Sequence, residues 1–453
     1  MTDHFQESLT FFLPQVALII LAAPLAAKAA VRLGQPKAVG WIAAGVLLGP
    51  SLFGKITPGL FGILFRPAEV GLTSPEVGEK LLTEILIHSE WGLILLLFQM
   101  GAQFNFSHLW PKRSGDSAPL FKRSLAISLV GIAAPFTLAC LFARPLHNLV
   151  GANVPYGPFV LFLGISMSIT ALPILAHIME ELGIHRTRIG TATITSGSSD
   201  DAAAWIFLAA ITNVVMANFN IWVFAPKLFL LFGVYFPAMI FVIRPLLRRW
   251  LVGALLRNKG KLSLEDLGLL LGCVLLSGWI THLLGIFAIF GAFLMGAMVS
   301  GTGRVRRELN RHLGLVTSLF LPVFFTSTGL RTDIGGLNNV NGYLLLAAVL
   351  VIAVGGKFAC AFAAWAGKGG FSIRESLCIG TMMNCRALME LVALNIGREL
   401  GVVPPTLFTA LVLMALITTA MTKPLLVWLA PGTELEPYLC KNAALPKAVP
   451  VQA

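Results

Sequence analysis

Two adjacent acidic residues, Asp200 and Asp201, lie in a stretch of apolar and small residues, TSGSSDDAAAW. An ionised aspartate at the centre of a membrane helix costs about 2.5–3.5 kcal/mol on insertion scales, so such a residue is by default functional. Neighbouring helix residues point about 100° apart, so one carboxylate can form an ion pair while the other faces a cavity. Small neighbours such as Ser199 permit close helix approach and ion access. The pair indicates cation or proton binding; the alternative is a structural role.

A candidate partner for these acids is Lys357, in the middle of another apolar stretch, VIAVGGKFACAF. Ionisable residues inside a membrane usually pair with one another, because a lone charge there is costly. A lysine–aspartate pair could store charge when closed and release a proton when it opens. A static ion pair without proton exchange is the alternative.

Two apolar segments look interrupted near their centres. In LGISMSITALPILAHIMEELG, Pro173 removes an amide donor, and Thr170 can supply replacement hydrogen bonds. In SLCIGTMMNCRALMELVALNIG, Asn384 and Arg386 are costly in lipid unless they line a cavity or a helix break. Broken helices expose amide dipoles and carbonyl oxygens that can coordinate monovalent cations. Arg386 and Glu390 have i, i+4 spacing, which favours a structural ion pair.

The composition indicates a membrane protein. Of the 453 residues, 57% are hydrophobic and 12% are charged, against about 25% charged in soluble domains. These values exclude an ordinary soluble enzyme and a disordered chain. The sequence has neither a phosphate-binding loop nor a nucleophile elbow, and its six cysteines lack CxxC spacing. We therefore expect no enzyme, no cofactor, and no metal beyond a transported Na⁺ or K⁺ at Asp201.

Thirteen membrane-spanning helices are predicted, because about 20 apolar residues cross a bilayer as a helix. The predicted spans are 11–28, 38–53, 85–104, 122–143, 157–180, 189–217, 221–243, 264–284, 286–303, 313–330, 342–366, 373–397 and 405–430. The first is expected to be a retained helix, since no basic segment or cleavage site precedes it. Residues 431–453 are expected to form a short cytoplasmic tail. The fold class is an all-α polytopic membrane protein.

The distribution of basic residues predicts the orientation. With the N-terminus outside and the C-terminus in the cytoplasm, 23 Lys and Arg residues lie inside and 7 outside, as the positive-inside rule requires. The net charge of +12 therefore reflects topology, and we expect no nucleic-acid partner. Thirteen spans divide into two six-helix halves of opposite orientation around one linking span, as in the inverted repeats of secondary transporters. The two interrupted spans are the fifth of each half.

The sequence resembles the monovalent cation:proton antiporter-2 family, within the sodium/proton exchanger superfamily. The resemblance covers about residues 11–430 and rests on eight ordered motifs: GWIAAGVLLGPSLFG, WGLILLLFQMGAQF, SITALPILAHIMEELG, TSGSSDDAAAW, GAFLMGAMVS, LPVFFTSTGLRTD, GGKFACAF and MNCRALMELVALNIG. The chain departs from the family pattern at Gln103, where the family has Glu, and at Cys385 and Ala387, where it has Thr and Gly.

The resemblance implies a sodium/proton-antiporter-like fold in one domain, 1–430. It implies a core (about 122–217 and 342–430), a scaffold that dimerises (about 11–104 and 264–330) and a linker helix (221–243). It further implies two inverted six-helix repeats with crossed broken helices, elevator-type alternating access and a homodimer in the cell (inner) membrane.

The resemblance also assigns the site residues. Asp201 matches the family's cation- and proton-binding aspartate, and Asp200 the position before it, which is Asp in electrogenic sodium/proton antiporters and differs in some potassium members. Lys357 matches the lysine that pairs with that first aspartate. Thr170 and Ala171 match the crossover of one broken helix, which Ser199 supports. Asn384 matches the crossover of the other broken helix.

Exchange of sodium or potassium for protons across the bilayer is therefore the hypothesis, with Asp201 as the site and an Asp200–Lys357 pair. A cation channel or potassium efflux pathway on the same fold is one alternative, and a non-transporting membrane sensor is another. An intramembrane enzyme is disfavoured, because a protease dyad needs carboxylates that meet across about 3 Å, which neighbours on one helix do not. The sequence leaves the choice between sodium and potassium open.

Overall fold

The computed structural model describes residues 2–68, 70–73, 90–102, 117–150, 154–300, 303–367, 369–386 and 388–439, and their regular secondary structure is helical. The helices are α1 (Thr2–Arg32), α2 (Lys37–Leu48), α3 (Phe53–Ile56), α4 (Pro58–Phe65), α5 (Glu90–Ala102), α6 (Ser117–Val150), α7 (Tyr156–Ser168), α8 (Leu172–Glu181), α9 (Arg188–Met216), α10 (Ile221–Arg257), α11 (Leu264–Leu283), α12 (Ala288–Val299), α13 (Gly303–Leu330), α14 (Val340–Trp365), α15 (Ile373–Met383), α16 (Leu388–Glu399), α17 (Pro405–Leu429) and α18 (Glu436–Leu439). A short 3₁₀ turn, Ile334–Leu337, precedes α14.

Eight helices in the described part of the chain are long and apolar enough to cross a membrane. A ninth span is added if the bent pair Arg304–Gly314 and Val316–Leu337 is counted as one. Helices such as α7 and α12, with 13 and 12 residues, are shorter than the about 20 residues that a span needs. The number of thirteen crossings therefore stays a prediction.

Parts of the predicted spans lie outside the described residues. They are residues 85–89 and 103–104 of the third span, which include Gln103, residues 301–302 of the ninth span and Ala387 of the twelfth span. Residues 440–453 of the predicted tail also lie outside the described residues. The predicted separation of the eighth and ninth spans is visible, since α11 ends at Leu283 and α12 begins at Ala288. Gly285 in this turn has a φ of 80°, a conformation that glycine adopts without strain.

The predicted linker span, 221–243, is part of a longer helix, α10, which continues to Arg257. Hydropathy ends the span where the arginines of RPLLRRW begin. The helix continues because Leu247, Leu251 and Leu255 recur every fourth residue and are buried, which gives it an apolar stripe. Two π-helical turns, Leu230–Tyr235 and Met239–Ile243, interrupt its regular geometry.

The chain divides into two compact units. The first comprises Met1–Arg32, Gly40–Ser107 and Trp205–Gly336, and the second comprises Leu33–Val39, His108–Ala204 and Leu337–Ala453. In the first unit, α11 packs on α12 and α1 packs on α13. In the second unit, α14 packs against α6, α15 and α17, and α6 also packs on α7. The assignment of core, scaffold and linker roles to these segments stays a prediction.

Candidate ion-binding site

Two helix breaks meet in the second unit. Helix α7 ends at Ser168, and Ile169 to Ala171 lie outside any helix before α8 begins at Leu172. The other break follows Met383 at the end of α15. The Ala171 backbone N–H donates to the Cys385 carbonyl over 2.9 Å, so the two breaks are joined directly. Backbone groups freed by a break inside a membrane need such partners.

The position of the first break follows from the sequence around Pro173. This proline lies in the first turn of α8, where a missing N–H costs nothing because the first helical N–H groups have no intrahelical acceptor. A proline there is incompatible with α7 and α8 forming one uninterrupted helix, since its ring would clash with the preceding turn. The prediction of an interruption at this proline agrees with the observed geometry.

Asp200, Thr170 and Lys357 form one hydrogen-bonded cluster. The Lys357 Nζ donates to the Asp200 Oδ2 over 3.1 Å and to the Thr170 Oγ1 over 2.6 Å. The Thr170 hydroxyl lies 2.9 Å from the same Oδ2 and 3.1 Å from the Met383 carbonyl. It carries one proton, so it donates to one of these acceptors at a time. The three side chains are at most 1% exposed, and the ion pair is thus held away from water.

Asp201 has a different environment from its neighbour. Its carboxylate accepts a hydrogen bond from the backbone N–H of Leu172, the first residue of α8. A helix N-terminus carries a partial positive charge that favours an anion. The Asp201 Oδ1 has no hydrogen-bond partner within the described part of the chain, although the residue is 2% exposed. An unpaired buried oxygen on a carboxylate is an acceptor for a proton or a ligand for a cation.

Small residues bring α14 close enough to α6 to bury Lys357. A Cβ built on Gly356 would lie 2.6 Å from the Cα of Pro135 on α6, and one built on Gly131 would lie 2.6 Å from the Cys360 Sγ. Both distances are shorter than real Cβ contacts. At Gly356 the contact is with the backbone, so that position requires glycine, whereas at Gly131 the Cys360 side chain would have to move. The close packing places the Lys357 Nζ within the reach of Asp200, which belongs to α9.

Arg386 caps the end of α7. Its guanidinium donates to the carbonyls of Ser166 and Met167, over 2.8 and 2.5 Å. The last carbonyls of a helix have no intrahelical donor, and a cation stabilises the negative end of the helix dipole. The Glu390 Oε2 lies 3.7 Å from the Arg386 Nη1, and both side chains are fully buried. The pair predicted from i, i+4 spacing therefore forms, and Arg386 also binds a second helix.

The remaining predicted residues occupy distinct positions. Ala171 contributes its backbone to the junction of the two breaks, whereas the Ser199 hydroxyl donates to the Thr195 carbonyl of its own helix. Asn384 is 1% exposed, and neither amide atom has a hydrogen-bond partner within the described residues. Its side chain therefore has free donors and an acceptor beside the breaks.

Sequence reasoning did not identify several groups around this cluster. Thr419 on α17 accepts a hydrogen bond from the Arg386 N–H over 3.1 Å, and its hydroxyl donates to the Arg386 carbonyl. The run ITTAMT, with three threonines in an apolar helix, is a signal that could have indicated it. The carbonyls of Ser166, Met167 and Met383 carry no such signal in the sequence, because every residue has a backbone carbonyl.

The chain is similar to known proteins over most of its length. The family model described as sodium/hydrogen exchanger, transmembrane, matches residues 17–428. The Na(+)/H(+) antiporter NhaS4 of Synechocystis is 35% identical over 432 residues, covering 94% of this chain and 98% of the relative. Cation/H(+) antiporter 17 of Arabidopsis thaliana is 32% identical over 97% of this chain, which spans about half (51%) of that protein.

The fold resembles a solved structure. The sodium proton antiporter MjNhaP1 from Methanocaldococcus jannaschii, solved at pH 8, aligns with a TM-score of 0.63 over 94% of this chain and 99% of that chain, at 15% sequence identity. The apolar helices and the family match together show a multi-pass membrane protein. The family consists of transporters rather than enzymes. This chain belongs to the sodium/hydrogen exchanger family.

Proposed function

We propose that the chain is a secondary antiporter that exchanges Na⁺ or K⁺ for protons. The observation that carries the proposal is the buried site at the junction of two helix breaks, which contains the Asp200–Lys357 pair and an Asp201 Oδ1 without a hydrogen-bond partner among the described residues. Relatives of this chain are named Na(+)/H(+), K(+)/H(+) or cation/H(+) antiporters, which supports the same chemistry here.

Asp201 is the proposed exchange residue. One carboxylate does not hold a proton and a cation at the same time, because protonation removes the charge that attracts the cation. Its bond to the N-terminus of α8 keeps one oxygen oriented and leaves the other for the transported ion. Backbone carbonyls and the Asn384 amide at the breaks are further candidate ligands, since hard monovalent cations prefer oxygen.

The Asp200–Lys357 pair is the proposed coupling element. In the closed pair, the Lys357 Nζ is held by Asp200 and Thr170. A cation that approaches Asp201 adds a positive charge next to this ammonium, which weakens the pair by like-charge repulsion. The pair opens when the cation enters and closes again when a proton replaces it.

The larger architecture belongs to the same proposal. We propose thirteen spans in two inverted six-helix repeats, with the N-terminus outside and the C-terminus in the cytoplasm. Movement of the core, 122–217 and 342–430, against a dimeric scaffold, 11–104 and 264–330, gives elevator-type alternating access in the cell (inner) membrane. The basic residues on the predicted cytoplasmic side and the similarity of the fold to MjNhaP1 support this arrangement.

Counter-transport in proteoliposomes tests the function. Sodium or potassium is added outside vesicles with an acidic lumen, and luminal pH and labelled cation uptake are recorded together. An antiporter raises the luminal pH with each cation taken up, and unlabelled cation inside the vesicles accelerates uptake of the label. Cation flux that follows the membrane potential without proton movement would identify a channel instead.

A further inference from the structure

The second helix break is held by the side chain of Thr419 on α17. The Arg386 N–H donates to the Thr419 hydroxyl oxygen over 3.1 Å, and the Thr419 hydroxyl donates in turn to the Arg386 carbonyl. Thr419 is 1% exposed, so bulk water does not compete for either hydrogen bond. One side chain therefore fixes both backbone groups of Arg386, between the end of α15 and the start of α16.

The peptide group that Thr419 binds is also bonded to the first break. The Arg386 N–H and the Cys385 carbonyl belong to one peptide unit, which is planar and rigid. Its N–H donates to Thr419, and its carbonyl accepts from the Ala171 N–H over 2.9 Å. Successive hydrogen bonds of this kind polarise and strengthen one another. Thr419 therefore sets the position of the peptide to which Ala171 is bonded.

Ala171 connects this peptide to the exchange residue. The next backbone N–H along the chain, that of Leu172, donates to the Asp201 carboxylate. A displacement of the Cys385 carbonyl therefore moves Ala171 and, with it, the N–H that orients Asp201. The path from Thr419 to Asp201 runs entirely through hydrogen-bonded backbone at the junction of the two breaks.

Thr419 has the same role at its break that Asp201 has at the other. Asp201 accepts from the first N–H after Ala171, and Thr419 accepts from the first N–H after Cys385. Ala171 and Cys385 are the two residues bonded to each other across the junction. Both acceptors lie near the middle of a long apolar helix, α9 for Asp201 and α17 for Thr419. A carboxylate thus binds the N–H at one break and a neutral hydroxyl binds it at the other.

We propose that Thr419 is a positioning residue of the ion site, which sets the affinity for the transported cation by holding the peptide that orients Ala171 and Leu172. The proposal rests on the proposed function of Asp201 as the cation-binding carboxylate. A binding site keeps its affinity only when the groups around it hold its ligands within about 0.5 Å of the productive geometry. Thr419 acts through the backbone and is not itself a cation ligand.

Cation-dependent heat stability of the purified protein measures this affinity without transport. A ligand that binds only the folded state stabilises it increasingly as its concentration exceeds the Kd. The unfolding temperature is recorded against NaCl or KCl, with choline chloride keeping the ionic strength constant, and the Kd is fitted from the rise. We expect Thr419→Val to raise the Kd about fivefold, which corresponds to the loss of about one hydrogen bond. A purely structural role lowers the unfolding temperature at every cation concentration and leaves the Kd unchanged.

Three further variants separate positioning from stability. Thr419→Ser retains the hydroxyl, and we expect it to keep the native Kd. Thr418→Val removes the same group from the neighbouring buried position, where the hydroxyl donates to carbonyls of its own helix, and we expect it to keep the native Kd as well. Thr419→Cys offers sulfur, a weaker acceptor than oxygen, and gives an intermediate Kd. The cysteine variant keeps the test decisive if the valine variant fails to fold.

The outcomes distinguish this proposal from the proposed function. An equal Kd for the valine, cysteine and serine variants at Thr419, or an equal rise for Thr418→Val, overturns the positioning role alone. Cation stabilisation of the native chain without proton-coupled exchange in proteoliposomes overturns the antiport alone, because the Kd values still report the role of Thr419. Absence of any cation stabilisation in the native chain overturns cation binding at Asp201 and the role of Thr419 with it.

Discussion

At the scale of single residues, the hydroxyl of Thr170 joins the two charges of the buried pair. It accepts from the Lys357 Nζ and lies within hydrogen-bond distance of the Asp200 Oδ2. Hydrogen bonds to charged groups contribute about 1.5–3 kcal/mol, and removing one partner leaves the other buried without compensation. The stability of the second unit and the position of the lysine therefore both depend on this one side chain.

We predict that Thr170→Val lowers the free energy of unfolding by about 1.5–3 kcal/mol. Valine has a similar shape but leaves the Lys357 ammonium with one acceptor fewer. Thr170→Ser retains the hydroxyl and serves as the control. The measurement is unfolding of the purified protein in detergent, and equal stability of the valine and serine variants would show that the hydroxyl contributes nothing.

We predict that Arg386→Ala is among the most destabilising single substitutions in the site, costing about 3–5 kcal/mol, because it leaves a buried carboxylate unpaired. Adding Glu390→Gln removes that charge and recovers part of the loss. The double variant remains less stable than the native chain, since the carbonyls of Ser166 and Met167 still lack donors. A double-mutant cycle measures the coupling, and strictly additive effects would contradict it.

The charged residues of the site and their pairing were predictable from sequence, and the backbone groups that bond to them were not. Asp200, Asp201 and Lys357 stand out because charges are rare and costly in apolar helices. The Leu172 amide and the Met383 carbonyl do not, because their roles come from the break geometry rather than from a side chain. The Ser199 hydroxyl donates to its own helix, and its predicted support of the crossover stays a prediction.

At the scale of helices, the packing of α14 on α6 sets the depth of Lys357. Gly356 meets the Pro135 backbone, whereas a Cβ on the preceding Gly355 meets nothing within 4 Å. The two neighbouring glycines in GGKFACAF therefore differ in whether their positions can hold a residue with a Cβ atom. The sequence shows both as small residues and gives no indication which of them faces α6, because that depends on the rotation of α14.

We predict that Gly356→Ala lowers the free energy of unfolding by about 1–3 kcal/mol through overpacking and slows cation exchange, because it shifts the lysine. Gly355→Ala is the matched control, and we expect it to be neutral or slightly stabilising, since alanine favours the helix. Unfolding and exchange are measured on both variants in parallel. Equal behaviour of the two would contradict the packing described here.

At the scale of the whole molecule, the low charged fraction and the long apolar helices predicted a polytopic membrane protein, and the family match confirms that class. The short helices α7, α8 and α12 were harder to predict in detail, because a hydropathy window does not detect breaks. The continuation of α10 past Ile243 was likewise not predicted from hydropathy. The arginines on its exposed face lower the mean hydropathy of the segment, although its leucine stripe is buried. Helix ends in a membrane depend on packing as well as on lipid.

Competition between the proton and the cation is a property of the whole transport cycle. We predict that the apparent KM for the cation rises as pH falls, approaching about tenfold per pH unit once protons occupy most of the sites, because two ligands of one carboxylate are linked. The maximal rate changes less. Initial rates across cation concentrations at several pH values check this, and a KM that is independent of pH would indicate separate sites.

The most direct measurement is proton-coupled exchange by Asp201→Asn in proteoliposomes, with sodium and potassium tested separately. Asparagine retains the shape of the side chain but does not ionise or carry a titrating proton, so we predict no dissipation of the pH gradient on cation addition. Asp333→Asn, which removes an exposed carboxylate outside the site, is the control and retains exchange. Cation-dependent dissipation of the pH gradient by Asp201→Asn would contradict the account.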